Sequence, residues 1–162
     1  MEEKLSNPAE VSINIMRVNK LTLGTVESAT GGLIAHLITN VPGASDVFLG
    51  SVTSYSNQVK MKIVGVKETT LQQHGAVSAE VAEEMAEGGR KALGVDICIA
   101  DTGIAGPSGA TPGKPVGLFY LALAHKDATN VRKLLFKGTR VENKQQVAET
   151  ALTWLRDYLF NL

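Results

Sequence analysis

The sequence predicts a single-domain α/β fold, in which helices flank a layered, mixed and mostly parallel sheet with a late antiparallel hairpin. Three observations carry this prediction. Helical and strand-like apolar patterns alternate through the first part of the chain. A nearly continuous apolar run over 96–101 is typical of a central strand buried on both faces. Two β-rich runs, 116–125 and 131–136, are joined by a short polar segment, which favours a hairpin.

Helix-start signals fix the expected order of elements. Asn7-Pro8 predicts the first helix because proline suits the first helical position after a capping residue. Ser56, Ser78 and Thr139 are placed to cap later helices. The expected order is a helix from 7, strand 21–26, helix 33–40, strand 47–55, helices 57–64, 67–74 and 79–93, strands 96–101, 116–125 and 131–136, and a helix from 139.

Length and charge exclude several classes of protein. The 162 residues suit one domain, expected over 1–162 with a core of about 7–160, and contain neither a repeat nor a linker. Sixteen Lys+Arg balance sixteen Asp+Glu, so no direct nucleic-acid binding is expected. No apolar run approaches the roughly 18 residues of a membrane span, and Met1-Glu2-Glu3-Lys4 does not resemble a signal peptide. A cytoplasmic protein without membrane contact is the expectation.

The metal-ligating residue types are scattered. The single cysteine, Cys98, lies between two isoleucines and is expected to be a buried core thiol. His36, His74 and His125 form no ligand pair and no HxH or HExxH pattern. We therefore expect neither a metal nor another cofactor.

The segment Glu27 to Gly32 follows the first expected strand and leads into a helix. Its glycines allow a ligand to approach the backbone closely, and the N–H groups of the helix can hold an oxyanion or a phosphate. It is not a P-loop, because no Gly-Lys-Ser/Thr follows. The alternative is that Ser28 or Thr30 is only the N-cap of that helix.

Lys60 lies one turn into the helix that Ser56 caps. The positive end of the helix dipole and burial would both lower the pKa of this amine, so it can act as a base. A serine nucleophile needs such a base within hydrogen-bond reach, and Ser28 also follows a strand. The alternative is that Lys60 is solvated helix surface and that Tyr55 is an amphipathic aromatic at a strand end.

A third candidate segment, 101–109, is rich in glycine and follows the most apolar strand. Such a loop can bring backbone donors and acceptors against a flat ligand, or it can be only a set of tight turns. Arg140 opens the last helix, where an arginine beside helix N–H groups can clamp a phosphate. A solvated Arg140 is the alternative.

Taken together, five segments resemble the C-terminal domain of the competence/damage-inducible protein CinA, the family of nicotinamide mononucleotide deamidases. The resemblance covers about residues 7–160 and, since each motif alone is weak, depends on all five occurring in one order. The segments are Glu27-Ser28-Ala29-Thr30-Gly31-Gly32, Tyr55-Ser56-Asn57 with Lys60, His74-Gly75-Ala76-Val77-Ser78, Gly103-Ile104-Ala105-Gly106-Pro107 and Lys114-Pro115-Val116-Gly117.

The resemblance implies an α/β fold and hydrolysis of the nicotinamide mononucleotide carboxamide, without a metal or cofactor, in pyridine nucleotide salvage. The products would be nicotinic acid mononucleotide and ammonia. It implies three catalytic residues, with Ser28 as the nucleophile, Lys60 as its general base and Tyr55 beside them. Among the implied substrate-binding residues, Thr30 and Gly31 would lie by the reacting carbonyl, with backbone N–H groups as oxyanion donors. Arg140 would hold the phosphate. The pyridine ring would be bordered by Thr102, Gly103, Ile104, Ala105 and Gly106.

The chain departs from the family pattern at five positions. Ala29 stands where the family commonly has cysteine, Ser54 where it has threonine, Ala110 where it has glycine, Thr139 where it has aspartate, and Lys144 where it often has arginine. These changes keep open a second class of function, a catalytically inactive nucleotide-binding or regulatory module. A purely structural partner domain is a third class. The apolar tail 159–162 is compatible with a homo-oligomer.

Overall fold

The computed structural model describes residues 6–162 and confirms the layered α/β fold with a mixed sheet. The N-terminal stretch Met1-Glu2-Glu3-Lys4 considered above lies outside the described residues. The elements are α1 (Pro8–Val18), β1 (Leu23–Glu27), α2 (Leu33–Thr39), a 3-10 turn (Ala44–Asp46), β2 (Phe48–Thr53), α3 (Asn57–Val64), α4 (Glu68–His74), α5 (Ala79–Leu93), β3 (Ile97–Gly103), β4 (Leu118–Ala124), β5 (Thr129–Leu135) and α6 (Arg140–Phe160).

The sheet has five strands in the order β2-β1-β3-β4-β5. β1 is parallel to both β2 and β3, whereas β4 is antiparallel to β3 and β5. β4 and β5 pair from Leu118 opposite Leu135 to Ala124 opposite Thr129, which confirms the expected hairpin. The carboxyl ends of β1, β2 and β3 therefore meet at one edge of the sheet.

Helices cover both faces of this sheet, and β3 shows why. Ile97 and Ile99 point to the core shared with α1, α2 and α6. Cys98 and Ala100 alternate with them and point to the core shared with α3, α4 and α5. The expected burial of Cys98 is confirmed, and burial raises the pKa of its thiol to about 12. No helix within residues 6–162 combines the length and apolarity needed to cross a membrane.

Most of the expected helix caps are confirmed. The side chain of Asn7 accepts a hydrogen bond from the Ala9 N–H at 3.0 Å, and Ser56 accepts one from Val59 N–H at 3.1 Å. Ser78 and Thr139 cap α5 and α6 in the same way. These short polar side chains satisfy N–H groups that have no partner inside the helix.

The start of α2 corrects one interpretation, because neither Ser28 nor Thr30 is its N-cap. The helix begins at Leu33, and the buried carboxylate of Glu27 accepts hydrogen bonds from the N–H groups of Ile34 at 2.8 Å and Ala35 at 2.9 Å. A carboxylate at the positive end of the helix replaces the usual capping hydroxyl. Ser28 and Thr30 are thereby left for other contacts.

Two strands also run further than expected. β1 continues to Glu27, which pairs with Thr53 of β2. β3 continues to Gly103 because β4 lies alongside it up to the Gly103–Phe119 pair. Thr102 and Gly103 are therefore strand residues and not part of the following loop, so the sheet fixes their backbone positions.

Candidate active site

The parallel strands bring three separate parts of the sequence to one cavity. Ser28 directly follows β1, Lys60 lies on the helix after β2, and Thr102 lies near the end of β3. Because parallel strands end at the same edge of a sheet, ligand sites in α/β folds form there. A cavity of about 300 Å³ opens at this edge, and these three side chains line it together with Tyr55 and Arg140.

Lys60 and Ser28 are in hydrogen-bond contact. The distance from Lys60 Nζ to Ser28 Oγ is 3.1 Å, and Nζ also donates to the carbonyl oxygens of Ser54 at 2.9 Å and Tyr55 at 3.0 Å. A neutral amine has two N–H groups and one lone pair. It can therefore satisfy both carbonyls and still accept the hydroxyl proton of Ser28.

Burial favours the neutral form of this amine. Lys60 is 1% exposed, although Lys62 on the same helix lies in solvent, so the interpretation of Lys60 as solvated helix surface is wrong. Loss of hydration lowers the pKa of Lys60, and the negative charge of Asp101 partly offsets this effect. A lysine with a lowered pKa beside a serine hydroxyl has the arrangement of a general base and its nucleophile.

Asp101 organises the turn that carries Ser28. One carboxylate oxygen accepts a hydrogen bond from the Ser28 N–H at 3.1 Å, and the other accepts one from Thr30 N–H at 3.2 Å. Gly31 N–H donates to the Ser28 carbonyl oxygen at 3.1 Å. The N–H of Ala29 lies between these donors, has no acceptor among residues 6–162, and belongs to a residue that lines the cavity.

Thr30 and Gly31 do not line the Ser28 cavity in this structure. Thr30 is 1% exposed, and its hydroxyl contacts the carboxylates of Glu27 and Asp101. Both residues instead border a neighbouring cavity of about 400 Å³ that Lys144 also lines. Since the Thr30 and Gly31 N–H groups already have protein acceptors, the Ala29 N–H is the better placed oxyanion donor of this turn.

The stretch expected at the pyridine ring does reach the cavity. Thr102, Gly103, Ile104 and Ala105 all line it, whereas Gly106 does not. The Thr102 hydroxyl donates to the Ala76 carbonyl oxygen at 2.7 Å, which fixes the segment before α5 against β3. This wall is therefore held by the sheet on one side and by a side-chain hydrogen bond on the other.

Arg140 joins two walls of the cavity. Its guanidinium donates to the Gly106 carbonyl oxygen at 2.7 Å and to the Tyr55 hydroxyl at 3.3 Å. Both partners are uncharged, so they leave the positive charge of the arginine unneutralised. Arg140 is also the first residue of α6, where helix N–H groups lack intrahelical partners. The geometry suits an anionic group.

Asn143 is a positioning residue that the sequence did not reveal. It is fully buried, donates to the Ala105 carbonyl oxygen at 3.0 Å and accepts from Gly138 N–H at 2.9 Å. These two hydrogen bonds tie the loop after β3 to the start of α6. A buried asparagine in an amphipathic helix gives no distinguishing signal in one sequence.

Six other residues that line the cavity had no role predicted from the sequence, although some of them lie in the motifs. The signal for Asp101 and Glu27 was present, because Asp101 directly follows an apolar run and Glu27 directly follows the first expected strand. No group of three or more His, Cys, Asp or Glu side chains within residues 6–162 comes together as a metal site requires. The additional lining residues are Ala29, Asn57, Ala76, Val77, Ser108 and Gly109.

The fold and the site define an α/β domain with a serine–lysine pair at the carboxyl edge of its parallel strands. The chain belongs to the CinA family, since the model of the CinA C-terminal domain matches residues 6–159. This confirms the resemblance seen in the sequence motifs.

Similarity to solved structures supports this family assignment. The chain is similar to the solved structure of a CinA superfamily protein from Klebsiella pneumoniae, with a TM-score of 0.92, 26% identity, and coverage of 96% of this chain and 97% of that chain. It is also similar to the competence/damage inducible protein CihA from Agrobacterium tumefaciens, with a TM-score of 0.89, 33% identity, and coverage of 98% and 99%.

The similar curated sequences are longer than this chain. The CinA-like protein of Thermotoga neapolitana is 48% identical over 150 residues, which are 93% of this chain but 36% of that protein. The CinA-like protein of Kosmotoga olearia is 48% identical over 153 residues, 94% of this chain and 37% of its own length. The chain thus spans little more than a third of these relatives.

Proposed function

We propose that this chain is a metal-independent amidohydrolase that converts nicotinamide mononucleotide to nicotinic acid mononucleotide and ammonia, within pyridine nucleotide salvage. The observation that carries the proposal is the 3.1 Å contact between Ser28 Oγ and the buried amine of Lys60. A serine hydroxyl is a weak nucleophile, and an adjacent amine with a lowered pKa is one of the few groups that activates it.

The first half of the reaction forms an acyl-enzyme. Neutral Lys60 takes the hydroxyl proton as Ser28 Oγ attacks the carboxamide carbon. The carbonyl oxygen becomes an oxyanion, which the Ala29 N–H is placed to stabilise. Lys60 then gives the proton to the departing nitrogen, the C–N bond breaks, and ammonia leaves.

The second half releases the acid. A water molecule attacks the acyl carbon while Lys60 accepts one of its protons. The tetrahedral intermediate collapses, the ester bond to Ser28 breaks, and Lys60 returns the proton to Ser28 Oγ. The product carboxyl group ionises to nicotinate. Every proton transfer uses groups of this chain or water.

The rest of the cavity suits a charged mononucleotide. The backbone of 102–105 offers a wall for a flat ring, and Arg140 offers an unneutralised guanidinium for a phosphate. Tyr55 links the two regions, because its carbonyl oxygen accepts from Lys60 and its hydroxyl lies against Arg140. We assign Tyr55 to substrate positioning beside the phosphate.

The direct test is ammonia release from nicotinamide mononucleotide by protein treated with a chelator. We expect turnover by the unaltered protein and a loss of at least about a thousandfold in Ser28→Ala and in Lys60→Ala, since each removes a member of the pair. Lys62→Ala is the matched control, because Lys62 lies on the same helix in solvent.

The outcomes separate two functions. Full activity in both Ser28→Ala and Lys60→Ala would contradict the assigned roles. Mononucleotide binding without turnover by the unaltered protein would favour the alternative of a nucleotide-binding or regulatory module. The position of Lys144 motivates that alternative, because it borders the neighbouring cavity and not the one that Arg140 lines.

A further inference from the structure

Three buried polar side chains form a cluster under the turn that carries Ser28. Glu27 and Asp101 are 0% exposed and Thr30 is 1% exposed. The Thr30 hydroxyl oxygen lies 2.7 Å from Glu27 Oε1 and is also hydrogen-bonded to Asp101 Oδ1. One hydroxyl therefore stands between two carboxyl groups from neighbouring strands.

Counting protons shows that the two carboxyl groups cannot both be ionised with both contacts intact. A threonine hydroxyl has one proton, and a carboxylate has none to donate. Thr30 can therefore donate to one carboxylate only, and the other contact would join two oxygens without a hydrogen between them. A second proton on one of the carboxyl groups satisfies both contacts.

The hydrogen bonds around each carboxyl group indicate which of the two carries the second proton. Glu27 accepts from the N–H groups of Ile34 and Ala35 at the start of α2, as described above, and its Oε2 lies 3.1 Å from the Thr25 hydroxyl. Glu27 thus accepts hydrogen bonds on both carboxyl oxygens. Asp101 has fewer donors and is fully buried. Burial and the charge of Glu27 raise its pKa to about 6, against the lowering effect of its hydrogen bonds to Ser28 and Thr30.

We propose that Asp101 carries a proton that it donates to Thr30, whose own hydroxyl proton is donated to the Glu27 carboxylate, and that this shared proton positions the turn of the nucleophile Ser28. Asp101 is thus a positioning residue for the Ser28–Lys60 pair, and this role rests on the proposed function. Loss of the proton leaves two buried negative charges on either side of Thr30.

The surroundings of Asp101 define what this proton influences. The charged groups that face it are Glu27 from β1 and Lys60 from α3. β4 presents Leu121 opposite Asp101, and Lys144 lies beyond Gly31 in the neighbouring cavity. An ionised Asp101 stabilises the ammonium form of Lys60, so the shared proton favours the neutral amine that the reaction needs.

Carbon-13 NMR of the aspartate carboxyl groups tests the proposal without substrate. The chain has five aspartates, so protein labelled at this residue gives five signals. We expect one signal to titrate about two pH units above the ordinary aspartate value of about 3.9 and to disappear in Asp101→Asn. Asp46→Asn, at an exposed ion pair with Arg17, is the matched control and should keep that signal.

A second variant distinguishes an Asp101 that donates its proton to Thr30 from an ionised Asp101 that only accepts a hydrogen bond from Thr30. In Thr30→Val, a protonated Asp101 loses its acceptor, so the titration midpoint should fall. If Thr30 merely donated to an ionised Asp101, the midpoint would rise instead. That rise, or ordinary titration of all five aspartates in the unaltered protein, overturns the proposal.

Steady-state kinetics of ammonia release test the positioning role of Asp101. Asp101→Asn should lower kcat roughly tenfold with KM little changed, since one N–H of the Ser28 turn loses its acceptor. It should also move the rise of kcat/KM to lower pH, because asparagine cannot lose a proton as Asp101 does when pH rises, and so it never supplies the negative charge that stabilises the Lys60 ammonium. Unchanged kinetics would overturn the positioning role. Absence of any ammonia release alongside a shifted aspartate signal would instead contradict the proposed function.

Discussion

At the scale of single residues, burial decides the chemistry of this site. Lys60 and Lys62 differ by two positions on one helix, yet the first is enclosed and the second lies in solvent. The enclosed amine loses its hydration, and this loss lowers the pKa of Lys60. The same residue type is therefore buried in contact with Ser28 at one position and exposed to solvent at the other.

Arg140 allows a prediction about substrate recognition. Arg140→Ala should raise KM for nicotinamide mononucleotide roughly tenfold to a hundredfold, because hydrogen bonds to charged groups contribute about 1.5–3 kcal/mol. The corresponding riboside, which lacks the phosphate, should be hydrolysed equally well by the unaltered protein and by Arg140→Ala. Steady-state kinetics with the two substrates makes the comparison. An equal loss on both substrates would show that Arg140 supports the cavity and not the phosphate.

At the scale of elements, α5 determines how closely the helical layer approaches the sheet. A Cβ atom on Gly88 would lie 1.7 Å from the carbonyl oxygen of Val64, the last residue of α3. One on Gly89 would lie 2.1 Å from Cγ2 of Val26 and 2.9 Å from Sγ of Cys98. These two glycines let α5 pack against both β1 and α3, the helix that carries Lys60.

Gly89→Ala should therefore destabilise the protein by about 1–3 kcal/mol, the usual cost of overpacking a core. The sign of this change in the free energy of unfolding is informative, because replacing glycine by alanine inside a helix otherwise stabilises a protein by about 1 kcal/mol. Denaturant unfolding measures the change in the free energy of unfolding. Lys91→Ala, on the exposed side of α5, should change it by less than about 0.5 kcal/mol. A stabilised Gly89→Ala protein would contradict the close packing.

At the scale of the whole molecule, the cluster under Ser28 links folding stability to pH. The pKa of Asp101 is raised to about 6 in the folded protein and returns to its ordinary value on unfolding. Between these two values the folded state binds more protons than the unfolded state. Asp101 therefore stabilises the fold at acid pH, and this contribution is lost as pH rises through about 6.

The difference in the free energy of unfolding between the unaltered protein and Asp101→Asn should thus decrease by roughly 2 kcal/mol from about pH 4 to about pH 7. Other titrating groups, Lys60 included, are present in both proteins, so the comparison isolates Asp101 to a first approximation. Denaturant titrations at several pH values provide the measurement. A difference that is constant with pH would show that Asp101 has an ordinary pKa in the folded protein.

The order of elements could be predicted because each signal is local. The Asn7-Pro8 start, the Ser56 and Ser78 caps and the alternation of apolar residues all act within a few positions along the chain. The errors occurred where a partner from another element of the fold decides the outcome. Gly103 belongs to β3 only because β4 pairs with it, and α2 is capped by a carboxylate from the end of β1.

The sequence by itself determined the fold class, the family and most of the cavity residues, because periodicity, caps and ordered motifs are properties of the chain. Only the tertiary structure decided the contact between Lys60 and Ser28, the enclosure of Lys60 and the displacement of Thr30 and Gly31 from the cavity. These features depend on distances between segments that are remote in sequence. Burial and hydrogen-bond geometry arise from that packing, and they set protonation and reactivity.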